Sequence, residues 1–381
     1  MPAFDRRRFV TTCLAAAATP LAWGQSPSPL RIGLTLPLTG IPQNIGSRSA
    51  TPDSGLDFLA GFQMAVAQER RGQAIEVIEM DDGFDPARAA ANVEALAKRD
   101  VVAVSGLWTT AHALAALPVA RRLRVPVVGM RSGADELRGV DNPWAFHLRA
   151  SAGDELQAVL KTLSGMNLAT VGILHDQDPR NPALIQQLKA AGAKVSMVQS
   201  VDVADRAALA AAARSVASAP GTKSIVLLMS AEAVVETMMA LRGDGPAFLA
   251  PVCTLSNVIS RSFAESRERA LNGLGVASPF SNPAFSRTDF ATRFRDAMTE
   301  RDLDQLTRSF TAFEGFVYGS VLTRTLVAMR PVTPTREALA NALRGRTMDL
   351  GGFPVRFDDR QVGHQSVQLL YKFSAEGTLK A

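Results

Sequence analysis

The stretch Val101-Val-Ala-Val-Ser-Gly-Leu-Trp-Thr-Thr-Ala-His-Ala-Leu-Ala-Ala-Leu-Pro-Val-Ala-Arg-Arg-Leu-Arg-Val-Pro-Val-Val-Gly129, continued by Met130-Arg-Ser-Gly-Ala-Asp-Glu136, decides the fold. Its first five residues are an apolar, β-branched run, residues 106–110 are small and polar around Trp108, and residues 111–123 have helical composition and periodicity. A second apolar run at 125–129 ends in another polar loop. The reading is a βαβ unit whose parallel strands are buried on both faces. Both loops leave carboxyl ends of strands, which in an open α/β sheet line the crevice where ligands bind. Thr109 and Thr110 stand where they can cap the following helix and touch a ligand through it.

Working outward, the same alternation continues on both sides. Residues 30–36 read as a first strand, 41–54 as a long polar loop, 56–70 as a helix with one apolar face, and 75–80 as a strand. Asp85 and Pro86 are the N-cap and first residue of a helix over 87–98. Beyond 136, residues 143–149 are extended and 153–163 helical. Strands at 170–175, 194–201, 224–229 and 248–252 then alternate with helices at 183–190, 205–218, 231–242 and 256–270. A strand at 274–278, helices at 282–301 and 309–329, a short helix opening at 334–337 and a closing strand pair at 355–357 and 367–373 complete the chain. The fold class is α/β, doubly wound and repeated.

Length and composition bound the function. A chain of 381 residues with 47% hydrophobic and 20% charged residues builds two domains with real cores. Arg6, Arg7 and Arg8, an Ala-rich apolar run and Ala22-Trp-Gly24 form an export signal over residues 1–25. The Arg-Arg-x-Phe spacing resembles a twin-arginine leader, with Asp5 where Ser or Thr is usual, so the route is twin-arginine or general secretory and the destination periplasmic. Removing it lowers the formal charge from +5 to +3, and the scattered basic residues give no nucleic-acid surface. Cys253 is the one cysteine past the leader, so neither a disulfide nor a cysteine metal site is expected. His112, His147, His175 and His364 lack metal-ligand spacing, and the glycine-rich fingerprints of nucleotide sites and the Gly-x-Ser-x-Gly elbow are missing. The expectation is no metal, no cofactor and no enzyme.

With this order of parts, the chain resembles the periplasmic substrate-binding proteins of branched-chain amino acid type ABC transporters, the leucine/isoleucine/valine-binding family. The resemblance covers about residues 30–373. It rests on Arg31-Ile-Gly-Leu-Thr-Leu-Pro-Leu-Thr-Gly40, Asp81-Asp-Gly-Phe-Asp-Pro86, the 101–106 and 125–129 strands, Asp135-Glu-Leu137 and Gly352-Phe-Pro-Val-Arg-Phe-Asp358. It implies a type I periplasmic binding protein: two Rossmann-like lobes joined by a three-strand hinge, closing on a solute. The lobes implied are 30–148 plus 280–350 and 149–279 plus 353–373. The implied partners are a small anionic or zwitterionic ligand and an ABC permease in the inner membrane, without nucleic acid. A module reporting to a sensor or regulatory partner is the alternative, and an exported α/β enzyme a third reading.

In this family the ligand carboxylate is held by first-lobe loops equivalent to 106–110 and 130–134. Thr109, Thr110 and Ser132 match that pattern, while Gly133 stands where the family has Thr, leaving Arg131 to supply charge. Trp108 is an apolar wall or a lobe-surface residue. In the second lobe Arg180 occupies the place of the family's pocket tyrosine, and the acid that takes an α-ammonium falls near Val252 or Cys253. An ordinary amino acid then lacks its ammonium partner unless Asp178 or Glu314 substitutes. Thr39, Ser230 and Thr254 at further strand ends complete the candidate set, which points to an anion such as a small carboxylate.

Overall fold

In a computed structural model the chain is described over residues 29–39, 55–139, 142–243, 248–330 and 334–381. The leader and the 41–54 loop lie outside the described residues. The quoted stretch forms β3 (Ala103–Gly106), α3 (Thr110–Arg122) and β4 (Val127–Met130). Before it come β1 (Leu30–Leu36), α1 (Gly55–Glu69), β2 (Ile75–Asp81) and α2 (Pro86–Lys98), and after it β5 (Ala145–Phe146). These strands pair in parallel in the order β2-β1-β3-β4-β5. Asp85 caps α2 with its side chain on the Ala87 N–H, and Pro86 follows at the first helical position, as read from sequence.

The second series is α4 (Ala152–Gly165), β6 (Thr170–His175), α5 (Asn181–Ala190), β7 (Lys194–Ser200), α6 (Arg206–Ser218), β8 (Ser224–Leu228), α7 (Ala231–Arg242), β9 (Val252–Thr254), a short α8 (Arg261–Glu265) and β10 (Gly275–Ser278). The chain then runs through α9 (Asp289–Thr299), α10 (Phe310–Ala328), α11 (Arg336–Leu343), β11 (Thr347–Asp349), β12 (Pro354–Arg356), β13 (Gln368–Phe373) and β14 (Thr378–Lys380). The second sheet has the order β14-β13-β10-β9-β8-β6-β7, parallel except where β13 meets β10 and β14. Two lobes result, each a parallel-dominated sheet sandwiched by helices.

The apolar cores show which late segments serve which lobe. Phe290, Phe294, Phe313, Phe316, Tyr318 and Phe353 are buried with Leu34, Phe58 and Phe62 of the first sheet's lobe. Leu370 and Leu379 join Val234, Val252 and Val276 of the second. The backbones of α1 and α10 meet directly. A β-carbon on Gly61 would lie 1.9 Å from the Ala312 carbonyl oxygen, and one on Gly315 2.2 Å from that of Phe58.

Four elements differ from the sequence reading. The strand expected at 248–252 is β9, shifted toward Thr254, because Pro251 has no N–H for the ladder and Arg242 binds the Phe248 and Ala250 carbonyls instead. The helix expected at 256–270 is broken into α8 and single turns: the Ser256 N–H is taken by Glu155 and Ser260 starts α8 afresh as its cap. The 282–301 helix begins only at Asp289. Asn282 holds the Ala284 N–H in a side-chain turn and Thr288 caps the helix. The expected closing pair is two separate pairings, β12 with β11 and β13 with β10 and β14.

Candidate functional site

Each sheet has a point where the connections diverge, between β1 and β3 in one and between β6 and β8 in the other. The loops leaving those strand ends carry most of the candidate residues. After β3, Gly106 and Leu107 both take positive φ, 107° and 53°. A β-carbon on Gly106 would lie 2.3 Å from the Thr35 carbonyl oxygen, so glycine is required there. This turn delivers Trp108, Thr109 and Thr110 to the start of α3.

Thr109 is the N-cap of α3, and its hydroxyl lies 2.7 Å from His112 Nδ1, so its bonding is local. Thr110 reaches outward. Its Oγ1 is 2.8 Å from Ser132 Oγ on the loop after β4 and accepts from Arg180 Nη1 of the other lobe at 2.6 Å. Arg180 begins α5 and is paired through its guanidinium with both oxygens of Asp178. The hydrogen bond from Arg180 and its charge hold the Asp178 carboxyl below the usual range.

Arg180 donates to Thr110, the Thr110 and Ser132 hydroxyls share a hydrogen bond in which either can be the donor, and Ser132 Oγ also accepts from the Ala134 N–H at 3.2 Å. Whichever hydroxyl donates, the proton of the other is not engaged between them. A cleft edge made of Arg180, Thr110 and Ser132 therefore presents donors.

Arg131, beside Ser132, lies 4.0 Å over the Trp108 ring, so that face of Trp108 carries a guanidinium and is not an apolar wall. Arg131 Nε donates to Glu314 Oε2 at 2.9 Å and Nη2 to Thr311 Oγ1 at 3.2 Å. One edge of its guanidinium is thus engaged, and the charge it was expected to supply is paired with Glu314. Glu314 Oε1 takes the Tyr318 hydroxyl at 2.6 Å and Arg149 Nη1 at 3.2 Å. Burial, with the Glu314 charge beside it, raises the Tyr318 hydroxyl well above its ordinary pKa, so it stays a donor.

Arg149 continues the network into the second lobe. Its Nη1 donates to the Arg131 carbonyl at 2.6 Å and its Nη2 to Ser256 Oγ at 2.8 Å. Ser256 in turn gives its N–H and hydroxyl to Glu155 at 2.7 and 2.6 Å. Burial raises the Glu155 carboxyl against the opposing charge of Arg149. Arg149, Glu155, Ser256 and Tyr318 did not emerge as site residues from sequence. Glu314 is prominent as the lone charged residue in 310–323, and Thr311, Glu314 and Tyr318 fall three and four apart, on one helical face.

The remaining candidates have local roles. The Thr39 hydroxyl donates to Asp81 Oδ2 and its N–H to Oδ1, pinning the chain after β1. Ser230 caps α7 through the Ala233 N–H. Thr254 is fully buried with its hydroxyl on the Leu227 carbonyl. Thr109, Thr39, Ser230 and Thr254 are thus engaged within their own lobes, whereas Thr110, Ser132, Asp178 and Arg180 are brought together across the gap. Cys253 is buried, and burial pushes its thiol up to about 12, so it carries no charge for an ammonium. Among the described residues no group of three His, Cys, Asp or Glu is placed to hold a metal ion. No described helix is long and apolar enough to cross a membrane.

Comparisons with known proteins agree with this geometry. The family model for periplasmic binding proteins matches residues 29–378. No curated protein matches the chain. Among solved structures, an extracellular ligand-binding receptor from Verminephrobacter eiseniae is 21% identical with a TM-score of 0.76, covering 93% of this chain and 100% of that one. A substrate-binding protein of an ABC transporter from Desulfitobacterium hafniense, in complex with Leu, is 17% identical with a TM-score of 0.73, covering 93% and 99%. A solute-binding protein of an ABC transporter from R. palustris, in complex with 4-hydroxybenzoate, is 16% identical with a TM-score of 0.72, covering 92% and 95%. The chain belongs to the periplasmic binding protein family, with the type I two-lobed fold.

Proposed function

We propose that this periplasmic binding protein is the extracytoplasmic solute-binding component of an ABC importer and takes a small organic carboxylate without an α-ammonium group. The observation that carries the ligand class is the state of the two acids that could serve an ammonium. Glu314 is buried between Arg131, Arg149 and Tyr318, and Asp178 is bound on both oxygens by Arg180. Glu314 is shut away and Asp178, though 28% exposed, already carries the Arg180 charge on both oxygens, and burying an ammonium without a partner is costly. The Arg180 guanidinium and the Thr110–Ser132 hydroxyl pair, which has one proton beyond its own bond, suit an acceptor instead. Fold relatives holding Leu and 4-hydroxybenzoate show that the scaffold accommodates carboxylates with and without an ammonium.

We place the lobes at 30–148 with 280–357 and at 149–279 with 367–380. The third crossing is moved from the expected 350–353 because Phe353, Val355 and Phe357 pack in the first lobe's core. The ligand shifts a two-state equilibrium toward closure, which a membrane permease reads, and no bond is made on the solute. Export through the leader, by the twin-arginine or the general secretory route, belongs to the same proposal.

Leucine and 4-methylpentanoate differ by the ammonium alone. Thermal-shift and calorimetric titrations should show stabilisation by 4-methylpentanoate or benzoates and none by leucine, with Arg180→Gln weakening the bound acid at least about tenfold. Stabilisation by leucine without its des-amino analogue refutes the ligand class.

A further inference from the structure

One face of α3 lies open on the first lobe. Leu114, Leu117, Pro118 and Arg121 fall three and four apart along it, and with Glu136 and Leu137 of the single turn after β4 they line a groove of about 620 Å³. Leu117 and Leu137 are its buried floor, while Leu114 is 52% exposed and Pro118, Arg121 and Glu136 are exposed beside it. The two charges sit at opposite ends. Arg121 is in the last turn of α3. Glu136 follows four residues after Ser132, whose hydroxyl meets Thr110 at the first residue of α3, and after Asp178 it is the next charge acting on the Arg180 guanidinium at that end. The helix rises about 16 Å from Thr110 to Arg121, too far for the two to pair within one chain. Among the described residues neither makes a hydrogen bond or an ion pair, whereas Arg122, next to Arg121, is held by Glu94 at 3.3 Å.

A face with an apolar middle and unlike charges at its two ends is its own complement. Turned over by a two-fold axis near Leu117 and Pro118, a second α3 runs antiparallel to the first. The apolar residues then meet in the middle, and each Arg121 comes to the end that holds the other copy's Glu136. We infer that the protein associates through this face into a two-fold dimer, the occupant of the groove being a second copy of the same chain. Neither the ligand class nor the permease enters this inference, so it stands or falls apart from them. One helix face buries little area, which makes the association weak and reversible. The two Arg121–Glu136 contacts at its rim make it weaker still as salt rises.

Sedimentation velocity of the protein between about 1 and about 200 μM should show monomer passing to dimer, with a dissociation constant of about 10–100 μM that rises with added salt. Leu114→Glu brings two carboxylates into the apolar centre and should weaken the dimer at least about tenfold. Arg121→Glu and Glu136→Arg each set like charges against one another at both ends of the interface and should weaken it about tenfold. The two reversals combined restore every pair and should recover the native constant to within about threefold. These side chains are exposed, so the variants keep the fold, and Leu114→Glu serves if a reversal does not. A monomer at every concentration gives the groove to another occupant and overturns the dimer. A dimer untouched by Leu114→Glu, or a double reversal as weak as the single ones, overturns this interface.

Discussion

At Glu314 one carboxylate holds two guanidiniums and a phenol in place. Glu314→Gln removes the charge and leaves Arg131 and Arg149 close together without it, so a loss of about 3–5 kcal/mol in chemical denaturation is expected. A loss below about 1 kcal/mol would mean that the cations find other partners. His147 makes a pH prediction. Burial, and then the Arg138 charge, lower its pKa from 6.5 to about 3. The unfolded chain therefore takes up a proton that the folded one refuses as pH falls from 6.5 toward 3, and stability drops through that window. Full expression amounts to about 4–5 kcal/mol by pH 3. His147→Gln keeps a donor for the Leu137 carbonyl and should flatten the acid limb of the stability curve; an unchanged slope places the proton uptake elsewhere. Residues of this kind were unevenly legible. Glu314 stands out as a charge in an apolar run, while Arg149 gives no signal because its partners lie 165 and 107 residues away.

Elements were easier to read, because alternation of apolar runs and caps is a local property. The β3-α3-β4 unit and the caps at Asp85 and Thr109 follow from residues within a few positions of one another. The 256–270 segment failed the same reading: Glu155, 101 residues earlier, fixes Ser256 at the start of a single turn that stops at Val258, and Ser260 then caps the short α8. The α1–α10 pairing is a further long-range property, and glycines decide it. Gly315→Ala sets a methyl carbon 2.2 Å from the Phe58 carbonyl oxygen, so the helices must separate. Overpacking of this kind costs about 1–3 kcal/mol, and a value above that range is expected here because the clash is with backbone. Gly165→Ala, in open space at the end of α4, is the control and should be neutral within about 0.5 kcal/mol. Equal melting temperatures for the two variants would show that α10 can slide on α1 at no cost.

Across the molecule, alternation predicted two α/β halves, yet it gave no hint that they interleave; that came from the family resemblance. The sheets explain why. β13 returns to β10 after residues 280–357 have served the first lobe's core, so membership is set by pairing over about a hundred residues. Two cores held together by three crossings could melt separately, and Arg149 opposes this. Its guanidinium binds the Arg131 carbonyl and Glu314 on one side and Ser256 on the other, all within 3.2 Å. Arg149→Met fills similar volume and cuts every one of these bonds, while Glu314 keeps Arg131 and Tyr318, and Glu155 keeps Ser256. Each lobe should therefore survive the change with its coupling weakened. Scanning calorimetry is expected to show one transition for the native protein and two for Arg149→Met, the calorimetric enthalpy of the variant exceeding its van't Hoff value. A single transition that only moves to lower temperature would instead assign the coupling to the crossings and to the other contacts between the lobes, Arg180–Thr110 among them. Combining Arg149→Met with Arg180→Gln, which cuts the bond to Thr110 as well, tests how much those contacts add to the crossings.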